Sequence, residues 1–433
     1  MAIRVSIRSG AAVALAVASL QAQVNVLTAN YDSYRTNSNL SETTLNPTTV
    51  TPTAFGKIGT FPVDGQIYSQ PLYVSGVQIT GAGQRNVVYV ATMHNSVYAI
   101  DADAPQSTEP LWTVNLGPSI LSATFNFTDI LPEVGILGTP VIDPTRGVIY
   151  VVSDTLANGA PVFSLHALSL ADGSEQLNGP VEITASVSGT GGGSDGNGTL
   201  ALDASLHLQR PGLALANGEL YVSFGSHADT GNWHGWLISY DASNLQHQTG
   251  VFNTTPNGGG GSIWQGGRAP AIDDSEDIYV VTGNGDYDGV SSFSESLLHL
   301  SSGRRTGQGQ NNLTIRDWFT PPDWSNLNDQ DWDFGTTGVI LVPGTNLLVT
   351  GSKAGLLYAV PRDAMGHSQA AWSTMQTVQA NQWGMFDMAL WTTRPVPSCI
   401  WASLITLLRL SPSSTERLAQ PARRNSRFPI RSL

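Results

Sequence analysis

The sequence predicts an all-β fold, a β-propeller assembled from small four-stranded blades. The first observation behind this is a repeated unit: an apolar strand, a short turn, then a second strand ending in a small polar knot. The second is its recurrence at roughly 50 to 70 residues over most of the chain, the signature of a radial array of small sheets. The third is composition. Of 433 residues 45 are glycine and only 12% are charged, which suits many tight turns between half-buried strands. Helical periodicity is weak everywhere, and only Ser368 to Gln379 invites a helical reading.

Taken in order, the chain opens with Arg4 and Arg8, an apolar run from Ala11 to Leu20 and small residues ending at Ala22. That is the layout of a secretory signal peptide over residues 1–22, and the run is too short for a membrane span. The expected destination is the periplasm or the exterior. Residues 23–54, rich in Asn, Thr and Ser, read as a lead-in that wraps the first sheet. The blades are expected over residues 55–393.

The first copy is Val87-Val88-Tyr89-Val90-Ala91 with Ser96-Val97-Tyr98-Ala99-Ile100-Asp101, followed by Leu111-Trp112-Thr113-Val114. The second pairs the strand from Gly147 to Val152 with Ser164 to Leu168, and the third pairs Glu219 to Ser223 with Gly235 to Asp241. Asp277 to Val281 with Ser296 to Leu300, then Asn346 to Thr350 with Gly355 to Val360, complete five copies, and Met388 to Trp391 begins a sixth. Between them lie glycine-rich turns at Gly191 to Gly198 and Asn257 to Gly261.

After Arg394 the composition shifts. Seven arginines, from Arg394 to Arg431, are opposed only by Glu416, and no strand-turn-strand unit is visible. Residues 394–433 therefore read as a divergent basic tail outside the blades, a segment altered relative to the repeat, with a membrane-surface or nucleic-acid tail as the other reading. On this view the array is incomplete at its C-terminal end.

The formal net charge of -13 argues against a nucleic-acid partner, since phosphate binding depends on clustered Lys and Arg. Cys399 is the only cysteine, so no disulfide can form within the chain, and no Cys-x-x-Cys-His exists to attach a haem.

The blade unit, with its Tyr-Ala-hydrophobic-Asp strand end and trailing Trp, resembles the eight-bladed propeller of pyrroloquinoline quinone (PQQ) dehydrogenases and their non-catalytic relatives. The resemblance covers about residues 60–390 and implies fold before chemistry. Its most specific local match is Gly258-Gly259-Gly260-Gly261-Ser262-Ile263-Trp264, followed by Val281-Thr282-Gly283-Asn284-Gly285. In the family such a Trp forms the floor under the quinone and such an Asn presents an oxygen to calcium. An aromatic face suits a planar cofactor and a hard cation wants oxygen ligands. Trp264 and Asn284 carry those expectations, with a Trp packed over the channel and an Asn in a tight turn as the structural alternatives.

Three further positions follow from the resemblance. Asp229, in Gly225-Ser226-His227-Ala228-Asp229, lies within one residue of the family's calcium-binding carboxylate, which is usually Glu. Lys353, in Gly351-Ser352-Lys353-Ala354-Gly355, stands where the family sets a cation against the quinone oxygens. Glu295, just before a strand, stands where the family has the catalytic carboxylate, usually Asp; Asp286 and Asp288 are the other candidates. His227 and His234 frame the Asp229 loop as polar surface residues or, less simply, metal ligands. Asp329, Asp331 and Asp333 read as packing and turn chemistry, and Glu133 and Arg210 as channel residues without a role. The adjacent cysteine pair of many alcohol-oxidising members is absent.

The resemblance thus implies an exported PQQ- and calcium-dependent dehydrogenase of an alcohol or sugar, passing electrons to a separate acceptor. The alternative is a cofactor-free propeller serving as an envelope scaffold or binding module. A glycan-binding propeller is a third reading, without an identifiable pair of catalytic carboxylates.

Overall fold

A computed structural model describes residues 24–125, 129–302, 313–368, 376–380 and 384–393, together with the strand segments 396–402, 406–410 and 418–419. The expected signal peptide, residues 1–22, lies outside the described residues, as does most of the basic tail.

The architecture is a β-propeller of antiparallel sheets. Among the described residues there are five four-stranded sheets and one of five strands, besides two short two-stranded pairs. The first sheet runs Leu72–Ile79, Gly83–Ala91, Ser96–Asp101, Trp112–Asn115. The second is built on Val148–Ala157 and Ala160–Ser169, the third on Glu219–Ser226 and Trp236–Asp241. The fourth comprises Ala271–Ile272, Ile278–Val281, Leu297–Ser301 and Thr314–Phe319; the fifth Ile340–Leu341, Leu347–Gly351, Leu356–Pro361 and Gln376–Gln379.

The near-continuous apolar runs follow from sheets that stack face to face, because a central strand then has no solvent side. In the second sheet Ile149 and Val151 pack toward the first sheet with Tyr89 and Val87, while Tyr150 and Val152 pack toward the third with Val222 and Phe224. Val280 and Tyr279 repeat the pattern, facing the third and fifth sheets respectively.

Three sequence expectations change. Gln376–Gln379 is a strand paired with Leu356–Pro361, so the proposed helix is absent over its described part; four residues at a sheet edge gain ladder hydrogen bonds that a short helix could not match. Among the described residues the α-helices are Ser122–Phe125 and Trp324–Asp329, with one 3-10 turn at Gln265–Gly267. Strand pairing also continues past residue 393: Met388–Thr393 pairs with Val396–Ala402, then Thr406–Leu410 and Leu418–Ala419. The nearly continuous apolar run from Ile400 to Leu410 is compatible with strands despite the arginines around it.

The third change concerns the lead-in, which does far more than wrap one sheet. Tyr73, Ile142, Ile272, Leu341 and Leu390 each donate a backbone N–H to a carbonyl between Val26 and Thr36, at 2.8–3.0 Å. Those donors lie on the first strands of the first, second, fourth, fifth and sixth sheets. An innermost strand has a free edge, and the lead-in satisfies it. Arg35, buried, pins the segment by donating to the Pro270 carbonyl at 2.9 Å and to Thr28 Oγ1 at 2.7 Å.

Candidate functional site

On the face formed by the loops that link successive sheets lies a cavity of about 290 Å³, lined by Arg210, Ala228, Asp229, Trp264, Gly266, Asp331, Asp333, Thr336, Lys353 and Phe386. Three of the five sequence-expected residues are therefore in its wall: Asp229, Trp264 and Lys353.

Glycine brings the pieces together. Gly260 has φ +78°, and a Cβ there would stand 2.5 Å from the Asn284 carbonyl oxygen and from Gly285 Cα. Only a residue without a side chain lets the Trp264 turn and the Asn284 turn touch in this way. Gly261 N then donates to Asn284 O at 2.7 Å and Gly283 N to Ser262 O at 2.9 Å. The Trp264 indole rests against Gly225, where a Cβ would lie 3.4 Å from its ring. Its Nε1 is a buried donor with no acceptor among the described residues.

Asp229 sits in a tight loop between two strands of the third sheet, where Ala228 and Asp229 both hold positive φ, +47° and +50°. Gln265 and Glu295 do the same at +51° and +49°. Of these four, Ala228 and Asp229 line the cavity, Gln265 follows Trp264 in sequence and Glu295 lies behind the wall. Burial raises the affinity of the Asp229 carboxyl for a proton; the hydrogen bond from Ser226 opposes this, and repulsion from Asp333 and Asp331 adds to it.

Asp333, read from sequence as packing, is the hub. Its Oδ1 accepts from Asn284 N at 3.0 Å and its Oδ2 lies 2.5 Å from Lys353 Nζ, which also reaches Asp331 Oδ1 at 3.0 Å. Burial works against the Lys353 charge, but Asp333 and Asp331 outweigh it and hold its pKa above the usual value. The end of the Asn284 side chain stands 3.2 Å from both Asp333 Oδ1 and Asp229 Oδ2. With its nitrogen there, the amide donates to both carboxylates; with its oxygen there, three oxygens converge, the set a hard cation draws together. Among the described residues no cluster of three or more His, Cys, Asp and Glu is disposed to hold a metal, so an ion here depends on the amide oxygen.

Glu295 is not in the wall. It is fully buried beside Asp333, with Oε2 accepting the Phe334 N–H and Oε1 without a partner among the described residues. Burial, then repulsion from Asp333, pushes its pKa well above the carboxylate range. The other acids near the Asn284 turn have structural tasks: Asp286 Oδ2 accepts from Gly259 N at 2.9 Å, and Asp288, although burial raises it, is brought down to about 2 by the combined Ser292, Val290 and Ser291 N–H donors. His234 is spent on Thr255 and the Gly192 carbonyl, and His227 Nδ1 faces Asp129 at 3.3 Å. Glu133 pairs with His94 at 3.0 Å, away from the cavity wall.

Arg210, which the sequence left without a role, lies over Trp264 with its guanidinium carbon 5.3 Å from the ring centroid. Asp331, Asp333 and Arg210 are thus the residues that sequence reasoning undervalued. The signals present were the Trp-Asp-aromatic segment and the scarcity of basic residues in the body of the chain.

No protein-family model matches the sequence, and no curated protein matches it. Among solved structures, the quinohemoprotein alcohol dehydrogenase ADHIIG from Pseudomonas putida HK5 superposes with a TM-score of 0.52 at 14% identity, over 91% of this chain and 59% of that one. A europium-containing methanol dehydrogenase gives 0.48 at 13% identity, over 79% of this chain and 57% of that chain. BamB from Moraxella catarrhalis gives 0.31 at 12% identity, covering 76% of this chain and 80% of that chain. The chain spans less than two thirds of the length of the two dehydrogenases. Low identity limits the inference to architecture: the chain folds as a β-propeller similar to that of the quinohemoprotein alcohol dehydrogenase.

Proposed function

We propose that the cavity binds PQQ together with a calcium ion, and that the protein is an exported dehydrogenase of an alcohol or sugar that hands electrons to a separate acceptor. The observation that carries this reading is the meeting of Asn284, Asp229 and Asp333 at one point beside an indole with an unspent buried N–H. Three acids, Asp229, Asp331 and Asp333, against Lys353 and Arg210 leave a local excess of negative charge that a divalent cation offsets.

In this reading Asp229, Asn284 and Asp333 hold the cation. Trp264 offers a flat surface to a planar ring, and Lys353 supplies fixed positive charge where negative charge develops. PQQ, when bound, supplies the two-electron acceptor for the substrate. Glu295 is the proposed proton acceptor: it has raised proton affinity and an open Oε1. Glu295 lies behind the wall, its carboxyl held by the N–H of Phe334, the residue after Asp333.

The test is calcium-dependent stability of the purified mature protein. At calcium one hundred times its Kd the native state gains about 2.7 kcal/mol, and Asn284→Ala removes the gain. A melting curve unmoved by calcium in folded wild-type protein would sink the metal assignment.

A further inference from the structure

Two cations face the cavity, and they are not in the same state. Lys353 is committed to Asp331 and Asp333. Arg210 has no hydrogen bond or ion pair to any described residue; its one contact of note is the Trp264 ring. The nearest acid that influences it, Asp129, turns its carboxylate to His227 Nδ1 at 3.3 and 3.4 Å instead. A partly buried guanidinium in a cavity wall carries five N–H donors, and those of Arg210 have no protein acceptor among the described residues. Stacking on an indole uses its face and leaves the donor edge open for a bidentate acceptor.

The rest of the wall is acidic, with Asp229, Asp331 and Asp333. A molecule that satisfies both parts needs an anion for Arg210 and a hydroxyl for the carboxylate side. A neutral alcohol supplies no anion to Arg210, and the carboxylates of PQQ, proposed for the same cavity, are the rival partner that a parallel titration distinguishes. We propose that the substrate of this cavity is a hydroxy acid, whose carboxylate is recognised by Arg210. The word substrate rests on the dehydrogenase reading; carboxylate recognition does not.

The test is calorimetric titration of the full mature chain, at fixed calcium, with two matched pairs: lactate against propane-1,2-diol, and gluconate against glucitol. Each pair differs in a carboxylate replacing a neutral group. The acids are expected to bind tenfold or more tightly than their neutral partners, a ratio in keeping with a charge-assisted pair. Arg210→Gln brings the ratio near one, and Arg210→Lys, which keeps the charge but not the fork, retains part of it. Equal binding of acid and polyol to wild type overturns the proposal, as does a preference that survives in Arg210→Gln. PQQ is titrated in parallel. If Arg210→Gln loses PQQ while wild type never prefers the acids, Arg210 serves the cofactor and the proposal is wrong. If wild type ignores PQQ but prefers acids through Arg210, the dehydrogenase reading fails and the carboxylate site stands.

Discussion

Replacing Lys353 with Met keeps the aliphatic stem and deletes the one cation paired with the cavity's acids. At 2.5 Å from Asp333, with an effective permittivity near 20, the gross attraction is about 6 to 7 kcal/mol, most of it offset by the cost of desolvating both groups. Removing one partner of such a pair strands the other, which costs about 3 to 5 kcal/mol when both are buried. The Lys353 side chain is 29% exposed and Asp333 4%, so the lower figure applies, about 3 kcal/mol. The measurement is equilibrium unfolding in guanidinium chloride at neutral pH without calcium. Lys353→Arg, which keeps the charge, should lose under about 1 kcal/mol, and Asp333→Asn placed on Lys353→Met should restore stability, since it removes the stranded charge. A cost below about 1 kcal/mol for Lys353→Met, or additive losses in the double variant, would refute the hub assigned to Asp333.

Glu295 gives a pH-dependent prediction. Its folded pKa is raised by burial, so the stability tied to its protonated form is complete below the unfolded value of about 4.3 and is lost as pH rises toward the folded value. Glu295→Gln should therefore match wild type near pH 4 and exceed it near pH 7; thermal melts that show no such divergence would count against the buried placement. Gly260→Ala should cost about 2 kcal/mol or more, because its Cβ meets the Asn284 carbonyl at 2.5 Å, and should also weaken PQQ binding by parting the two turns; a variant as stable as wild type contradicts the contact. Arg35→Met should cost about 3 kcal/mol in chemical denaturation by leaving the Pro270 and Ala29 carbonyls unpaired, whereas a loss within experimental error would show that the lead-in does not clasp the sheets.

The sequence carried the architecture because the physics there is local and repeated. Strands such as Val148 to Val152 are apolar at every position since each face meets a neighbouring sheet, and that is visible residue by residue. The turn motifs singled out Trp264, Asp229, Lys353 and Asn284, and the structure gathers these positions in or beside one cavity. The lead-in was not, because it contributes carbonyls, and carbonyls leave no trace in side-chain pattern. Asp333 was misread for a different reason. Its role depends on Lys353, twenty residues away in sequence and 2.5 Å away in space, and an acid beside a Trp signals packing as readily as a site. Glu295 was read by position along the chain; only coordinates show that its carboxyl lies behind the wall, held by Phe334 N–H. Arg210 was noticed and left without a function because an unpaired cation is a statement about surroundings.

The claim on which the account turns is that one cavity, floored by Trp264 and flanked by Asp229, Asn284, Asp333 and Lys353, receives PQQ with calcium. Calorimetric titration of the folded protein with PQQ, with calcium present and then removed by chelation, tests it directly. The expected result is one site per chain, binding that needs calcium, and loss of that binding in Trp264→Ala. Absence of binding to folded wild-type protein, or binding that Trp264→Ala leaves unchanged, would contradict it.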